Sequence, residues 1–229
     1  GLKALFNARS TPLLFTVHNE NRHPYDLELL DDYDRLTSRD DTPELVVFHL
    51  MGQHVSYSDR YPKEEAYFTP GDIRREDLTQ QERQVVADYD NATRYNDQVV
   101  DAILARFTDR DAIAVYLSDH GEEVYDYRDF FCRSHDLPLT PEVCKYQFEI
   151  PFMIWMSDTY RRNRPDVAAQ VAGALDRPFS ADDLSHLLLD LAGIPFYSKD
   201  RDGSWPLIVA GGPCACNAEP IADFFDVVQ

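Results

Sequence analysis

The sequence predicts an α/β fold, a mostly parallel or mixed sheet flanked by helices, and three observations predict it. Two apolar runs rich in β-branched and aromatic side chains, residues 44–50 and 113–118, read as strands. A long amphipathic stretch between them, about 80–107, reads as a helix. The remaining segments continue the alternation, in the order β-α-β-α-β-β-α-α, the pattern of an α/β layer structure.

Each element has its own signal. Residues 11–18 read as a strand that runs into a polar loop, Asn19 to Arg22, flanked by His18 and His23. Tyr25 to Leu36 reads as an amphipathic helix with Leu29, Leu30, Tyr33 and Leu36 on one face. The strand Glu44 to Leu50 ends in His49-Leu-Met-Gly52-Gln-His54, where glycine lets the backbone turn. The loop 55–77 is rich in tyrosine, proline and charge; it either lines a cleft or packs down on the domain.

Thr79-Gln-Gln-Glu82 has the capping-box pattern and opens the long helix, whose apolar positions are Val85, Tyr89, Ala92, Val99, Ile103 and Phe107. That helix is expected to cross back and feed the central, buried strand 112–118 in a β-α-β crossover. Gln147 to Met156 reads as a further strand, near an edge because Pro151 interrupts it. Pro165 to Leu175 is a helix. A second, capped by Ser180 and stopped by Gly193, turns Leu184, Leu187, Leu188 and Leu191 inward, with His186 a structural residue beside them. Leu207 to Ala210 reads as an edge strand.

Composition narrows the partners. The 229 residues are 44% hydrophobic and 28% charged, within the globular range. A formal charge of −19 argues against a nucleic-acid backbone as partner. No run is long and apolar enough to cross a bilayer, although the chain opens on Gly1 without a methionine, so a lost leader or anchor stays open. Cys132 and Cys144 can close a short loop in an oxidising compartment; Cys214 and Cys216 are too close for an ordinary disulfide, and no CxxC pair exists.

The chemistry-bearing residues gather where strands end. Asp119 and His120 follow the strand 113–118 and precede Gly121, at the end of an α/β strand where ligands bind. A carboxylate beside an imidazole there is either a hydrogen-bonded structural pair or two ligands of one metal. His49, His54 and His135 stand on loops of the same kind, and imidazole and carboxylate are zinc's ligands in catalytic sites. Mixed nitrogen and oxygen ligation also accepts manganese. Five candidate ligands suit a two-metal clamp on a phosphoryl group better than a single ion.

Four motifs in one order then carry a resemblance: Phe48-His-Leu-Met-Gly-Gln-His54, Arg60-Tyr-Pro62, Tyr89-Asp-Asn-Ala-Thr93 and Tyr116-Leu-Ser-Asp-His-Gly-Glu-Glu123. This succession resembles the phosphoethanolamine transferases of the sulfatase and alkaline phosphatase superfamily, over about residues 24–156. Asp26-Leu-Glu-Leu-Leu30 also looks like their short acidic helix opening. The resemblance implies an alkaline phosphatase/sulfatase-like fold, incomplete here, with residues 1–229 as the C-terminal portion of one catalytic domain.

It implies that Asp119 and His120 ligate the main zinc, that His54 and His135 serve a second zinc or the phosphate pocket, and that His49, Asn91 and Glu122 contact substrate. His135 stands fifteen positions after His120, against about twelve in the family, where Cys132 falls; Cys132 is the lesser candidate for that ligand. The family's threonine nucleophile and glutamate ligand have no match between Gly1 and Glu44, so the nucleophile is expected to lie outside this chain and the isolated chain to be inactive. The implied reaction takes phosphoethanolamine from phosphatidylethanolamine to a cell-envelope lipid or glycan, through a phospho-threonine. It would run at the periplasmic face of the bacterial inner membrane, with membrane contact through an N-terminal segment upstream and this chain itself soluble. The alternatives are a sulfatase- or phosphatase-type hydrolase of the same superfamily and a non-catalytic metal-binding module.

Overall fold

The computed structural model describes residues 13–19, 23–37, 44–133, 138–193, 198–200, 209–210 and 227–228. The chain groups into two compact units, one of residues 16–38 and 46–163, the other of 1–15, 39–45 and 164–229.

The strand β1 (Leu13–His18) pairs with β2 (Glu44–His49). The expected helix between them is a 3-10 turn, Asp26–Glu28, continued by α1 (Leu29–Leu36). Tyr33 of α1 packs between Phe48 of β2 and Phe107, with ring centroids 5.5 and 5.4 Å away. The helix α2 (Gln80–Ala105) opens with both halves of the capping box: the Thr79 hydroxyl accepts from the Glu82 amide and the Glu82 carboxylate accepts from the Thr79 amide.

The core lies along α2. Ala92, Tyr95 and Val99 bury one face against Tyr57 and Tyr61 of the preceding 55–77 loop. Leu78, Val124 and Tyr125 close over the N-terminal turns, against Val85, Val86 and Tyr89. The 55–77 loop is therefore packed down through Tyr57 and Tyr61, while Tyr67 stays exposed. Those two rings remove large apolar areas from water, the dominant favourable contribution to such packing.

The strand β3 (Ile113–Leu117) pairs antiparallel with β6 (Phe152–Met156), from Ile113 opposite Met156 to Leu117 opposite Phe152. Two expectations change here. No ladder among the described residues joins β2 to β3, so the crossover does not produce a parallel pair, and β3 is half-buried along its whole length rather than buried. The expected strand 147–156 also starts later, at Phe152. Residues Pro141–Phe148 form a helix, α3, because Thr140 caps it through the Val143 amide and Pro141 suits its first turn. The short strands β4 (Glu123–Val124) and β5 (Phe131–Cys132) pair antiparallel between β3 and α3. A six-residue helix, α4 (Asp158–Asn163), ends the unit.

The second unit holds α5 (Pro165–Ala172), α6 (Leu184–Leu191) and the parallel pair β7 (Val209–Ala210) and β8 (Val227–Val228). Ser180 makes no side-chain cap; a 3-10 turn, Ala181–Asp183, leads into α6 instead, its Asp183 amide donating to the Ser180 carbonyl. Of the leucines expected to point inward, Leu191 is buried and Leu188 is 38% exposed. His186 lies at the exposed face beside Asp183, at 3.7 Å. Gly193 ends the helix in the left-handed region, φ +69°. Among the described residues no helix is long and apolar enough to cross a membrane.

Candidate metal centre

The Asp119-His120 pair sits on the turn that leaves β3. Gly121 makes that turn possible, its amide donating to the Gln147 carbonyl of α3 at 3.0 Å. The His120 ring has Nδ1 at 2.8 Å from the Gly121 carbonyl. A carbonyl only accepts, so Nδ1 carries a proton, and in the neutral ring Nε2 presents its lone pair. That Nε2 lies 3.8 Å from Asp119 Oδ1, a gap two zinc bonds of about 2.0–2.2 Å can span. The donor set and tautomer thus fit zinc at this pair. Among the described residues no group of three histidines, cysteines or acidic residues converges on one ion.

The other expected site residues fall as follows. His49 is the last residue of β2 and is exposed; its carbonyl accepts from the Asn19 amide at 3.2 Å. His54 is exposed, after a turn closed by its own amide to the Met51 carbonyl at 2.9 Å. His135 lies outside the described residues. Glu122 is half-buried, and burial lifts its carboxyl above the ordinary value against the opposing pull of Tyr57, Cys132, His120 and His54. The Tyr57 hydroxyl beside it is buried and forms no hydrogen bond of regular geometry. Cys132, with φ +84°, remains a free thiol, as does Cys144; burial pushes the Cys132 pKa above its ordinary value, the Arg133 backbone pulls against it and the Glu122 charge adds to the rise. His23 is committed elsewhere, 2.8 Å from Asp32 and 3.3 Å from Glu28.

Asn91 does different work from the substrate contact expected of it. It is 2% exposed, its Oδ1 accepts from the Tyr67 and Phe68 amides at 2.7 and 2.8 Å, and its Nδ2 donates to the Phe68 carbonyl and the Tyr61 hydroxyl. All four hydrogen-bonding positions of the amide are filled, which leaves none for a substrate. Asn91→Ala strips two loop amides of their acceptor and is expected to destabilise the fold by about 2 kcal/mol. Urea unfolding of the two proteins measures this, and faster proteolysis within 55–77 should accompany it.

Two buried carboxylates, to which the sequence assigns no role, hold the site's backbone. The Asp26 carboxylate, 7% exposed, accepts from Asn19 Nδ2 and the Met51 amide on Oδ1, at 2.7 and 3.1 Å, and from the Gly52 amide on Oδ2 at 2.8 Å. Glu123, fully buried, is gripped by Arg128 through its backbone amide and guanidinium. The sequence signal for Asp26 is its place at the head of Asp26-Leu-Glu-Leu-Leu30.

A sulfatase family model matches residues 2–194. A second, described as the N-terminal part of radical SAM proteins, matches only 184–229. The phosphoethanolamine transferase EptC of Escherichia coli O18:K1:H7 is 32% identical over 192 residues, 79% of this chain and 31% of the relative. The Kdo(2)-lipid A phosphoethanolamine 7''-transferase of E. coli K12 is 30% identical, over 66% of this chain and 26% of the relative. The crystal structure of the C-terminal periplasmic domain of EptC from E. coli in complex with zinc superposes with a TM-score of 0.63 at 32% identity, covering 74% of this chain and 46% of that one. The chain thus spans about a third or less of the length of these curated relatives. The fold, the order of motifs and these matches together show that the chain belongs to the sulfatase family, in the branch of the phosphoethanolamine transferases.

Proposed function

We propose that residues 1–229 are the C-terminal portion of the catalytic domain of a zinc-dependent phosphoethanolamine transferase. The observation that carries this reading is the His120 ring, its Nδ1–H held by Gly121 and its Nε2 turned toward Asp119. Those two atoms would hold the main zinc. His54, and His135 after it, serve a second zinc or the phosphate; His49 and Glu122 face the substrate, and Asn91 holds the loop.

Bound zinc supplies positive charge that offsets the phosphoryl oxygens and lowers the pKa of the attacking hydroxyl. The Gly121 carbonyl keeps the proton on Nδ1 and so keeps His120 a donor of its Nε2 lone pair. The exposed Asp119 carboxylate presents its charge to the solvent-facing side of the turn. The group moved is phosphoethanolamine, from phosphatidylethanolamine to an envelope lipid or glycan; relatives are named for transfer to Kdo(2)-lipid A. The setting is the periplasmic face of the inner membrane, with the nucleophile and membrane anchor supplied outside these residues. A solved neighbour is titled a periplasmic domain and another an integral membrane protein, which supports that setting.

Zinc titration by calorimetry tests the proposal. The chain is expected to bind zinc, and His120→Ala and Asp119→Asn are each expected to weaken binding by at least about tenfold. Binding that neither substitution alters would overturn it.

A further inference from the structure

We propose that Asp26, seconded by Asn19, is a positioning residue that fixes the backbone between His49 and His54 before any metal or substrate arrives. One buried carboxylate holds two successive amides of that loop, Met51 on Oδ1 and Gly52 on Oδ2. Asn19, 2% exposed, ties the loop's other end, its amide donating to the His49 carbonyl. Its side chain closes the set: Nδ2 donates to Asp26 Oδ1 and Oδ1 accepts from the His23 amide at 3.1 Å. The loop is thus held at His49 by the Asn19 backbone amide and at Met51-Gly52 by the Asp26 carboxylate, with the Asn19 side chain tying the two together.

The chemistry selects a carboxylate. Successive amides from one loop converge on a single acceptor group, and a charged acceptor makes shorter, stronger bonds than a neutral one. An amide at position 26 accepts on one side only and presents N–H groups to the other amide. Both residues are exposed, and the clamp acts on the backbone between them rather than on the rings. Its value to zinc rests on the function proposed above, whereas the clamp itself stands on these hydrogen bonds alone.

Amide hydrogen exchange on the full chain, with zinc affinity measured alongside, tests it. In Asp26→Asn the Met51 and Gly52 amides are expected to exchange at least about tenfold faster while the β3 amides keep their protection. Zinc affinity at the His54 site is expected to fall by about tenfold or more. Asp72→Asn, which removes a carboxylate acceptor from an exposed turn at Thr69, is expected to change neither. If Asp26→Asn does not fold, Asn19→Ala keeps the carboxylate but removes the Nδ2 donor that holds Asp26 Oδ1, and is expected to speed exchange of the Met51 and Gly52 amides. Wild-type protection of Met51 and Gly52 in Asp26→Asn would overturn the clamp, as would an unaltered loop in Asn19→Ala. Absence of zinc binding in the wild type would sink the zinc reading and leave the exchange result to decide the clamp.

Discussion

Arg128→Ala is expected to destabilise the fold by about 3–5 kcal/mol, because it strands a buried charge. Glu123 is 0% exposed and gives both oxygens to Arg128. Oε1 accepts from the Arg128 amide at 2.8 Å and from Nε at 3.1 Å, and Oε2 accepts from Nε at 3.0 Å and from the terminal guanidinium nitrogen. Remove the guanidinium and the carboxylate keeps its desolvation cost while losing its counter-charge. The pair itself adds less than this loss suggests, so Glu123→Gln with Arg128→Met is expected to recover most of the stability. Equal instability of the single and double variants in urea unfolding would contradict that account.

The same pair predicts the sign of a pH effect. Burial pushes the Glu123 carboxyl up, but the hydrogen bonds and charge of Arg128 outweigh it and hold the group below its ordinary value. A carboxyl lowered by folding contributes stability that is present above its unfolded pKa of about 4.3 and lost as the pH falls through the folded value. In Arg128→Ala the guanidinium's bonds and charge are gone, burial outweighs the remaining bonds from the position-128 amide and Gln147, the carboxyl rises, and protonation relieves the strain. The stability gap between wild type and variant is therefore expected to narrow as the pH falls from about 8 to about 5.5, a range above the sequence pI of about 4.6. A constant gap over that range would exclude this origin.

Legibility in the sequence followed the range of the interaction. The capping box of α2 was readable because Thr79 and Glu82 bond within one turn. The Asp119-His120 turn was readable because a strand end and a glycine mark it locally. The helix α3 was misread because Gln147-Phe-Glu-Ile continues into an apolar strand, and the start signal, Thr140-Pro141, lay outside the run that drew notice. The Asp26 clamp was not readable as such. Its partners are backbone amides 25 and 26 positions away, and every residue but proline carries one. Glu123 closes the Tyr116–Glu123 motif, which gives it no role of its own; only tertiary packing around β4 buries it. Asn91 sits in a recognisable motif, but that motif cannot say whether its amide meets a substrate or the neighbouring loop.

Gly121→Ala is expected to cost about 3 kcal/mol, a fall in Tm of about 10 °C, and to weaken zinc binding by more than about tenfold. The cause is contact, not conformation. A Cβ at Gly121 would stand 2.4 Å from the Tyr146 carbonyl oxygen and 3.1 Å from the Gln147 carbonyl carbon and the Glu149 carbonyl oxygen. All three are backbone atoms at the end of α3, so no side chain can swing aside. The turn must lift off α3, break the Gly121 amide bond to Gln147, and carry His120 and Glu122 with it. Gly52 supplies the contrast within the same protein. Its φ of +51° is left-handed, yet a Cβ there meets only Asn96 Oδ1, at 3.6 Å. Gly52→Ala is expected to cost about 1 kcal/mol through backbone strain, and Gly52→Asn less, since asparagine tolerates that region. Thermal scans of the three variants decide the matter. Gly121→Ala unfolding no earlier than Gly52→Ala would mean that the turn does not press on α3, and the geometry argued for His120 would lose its support.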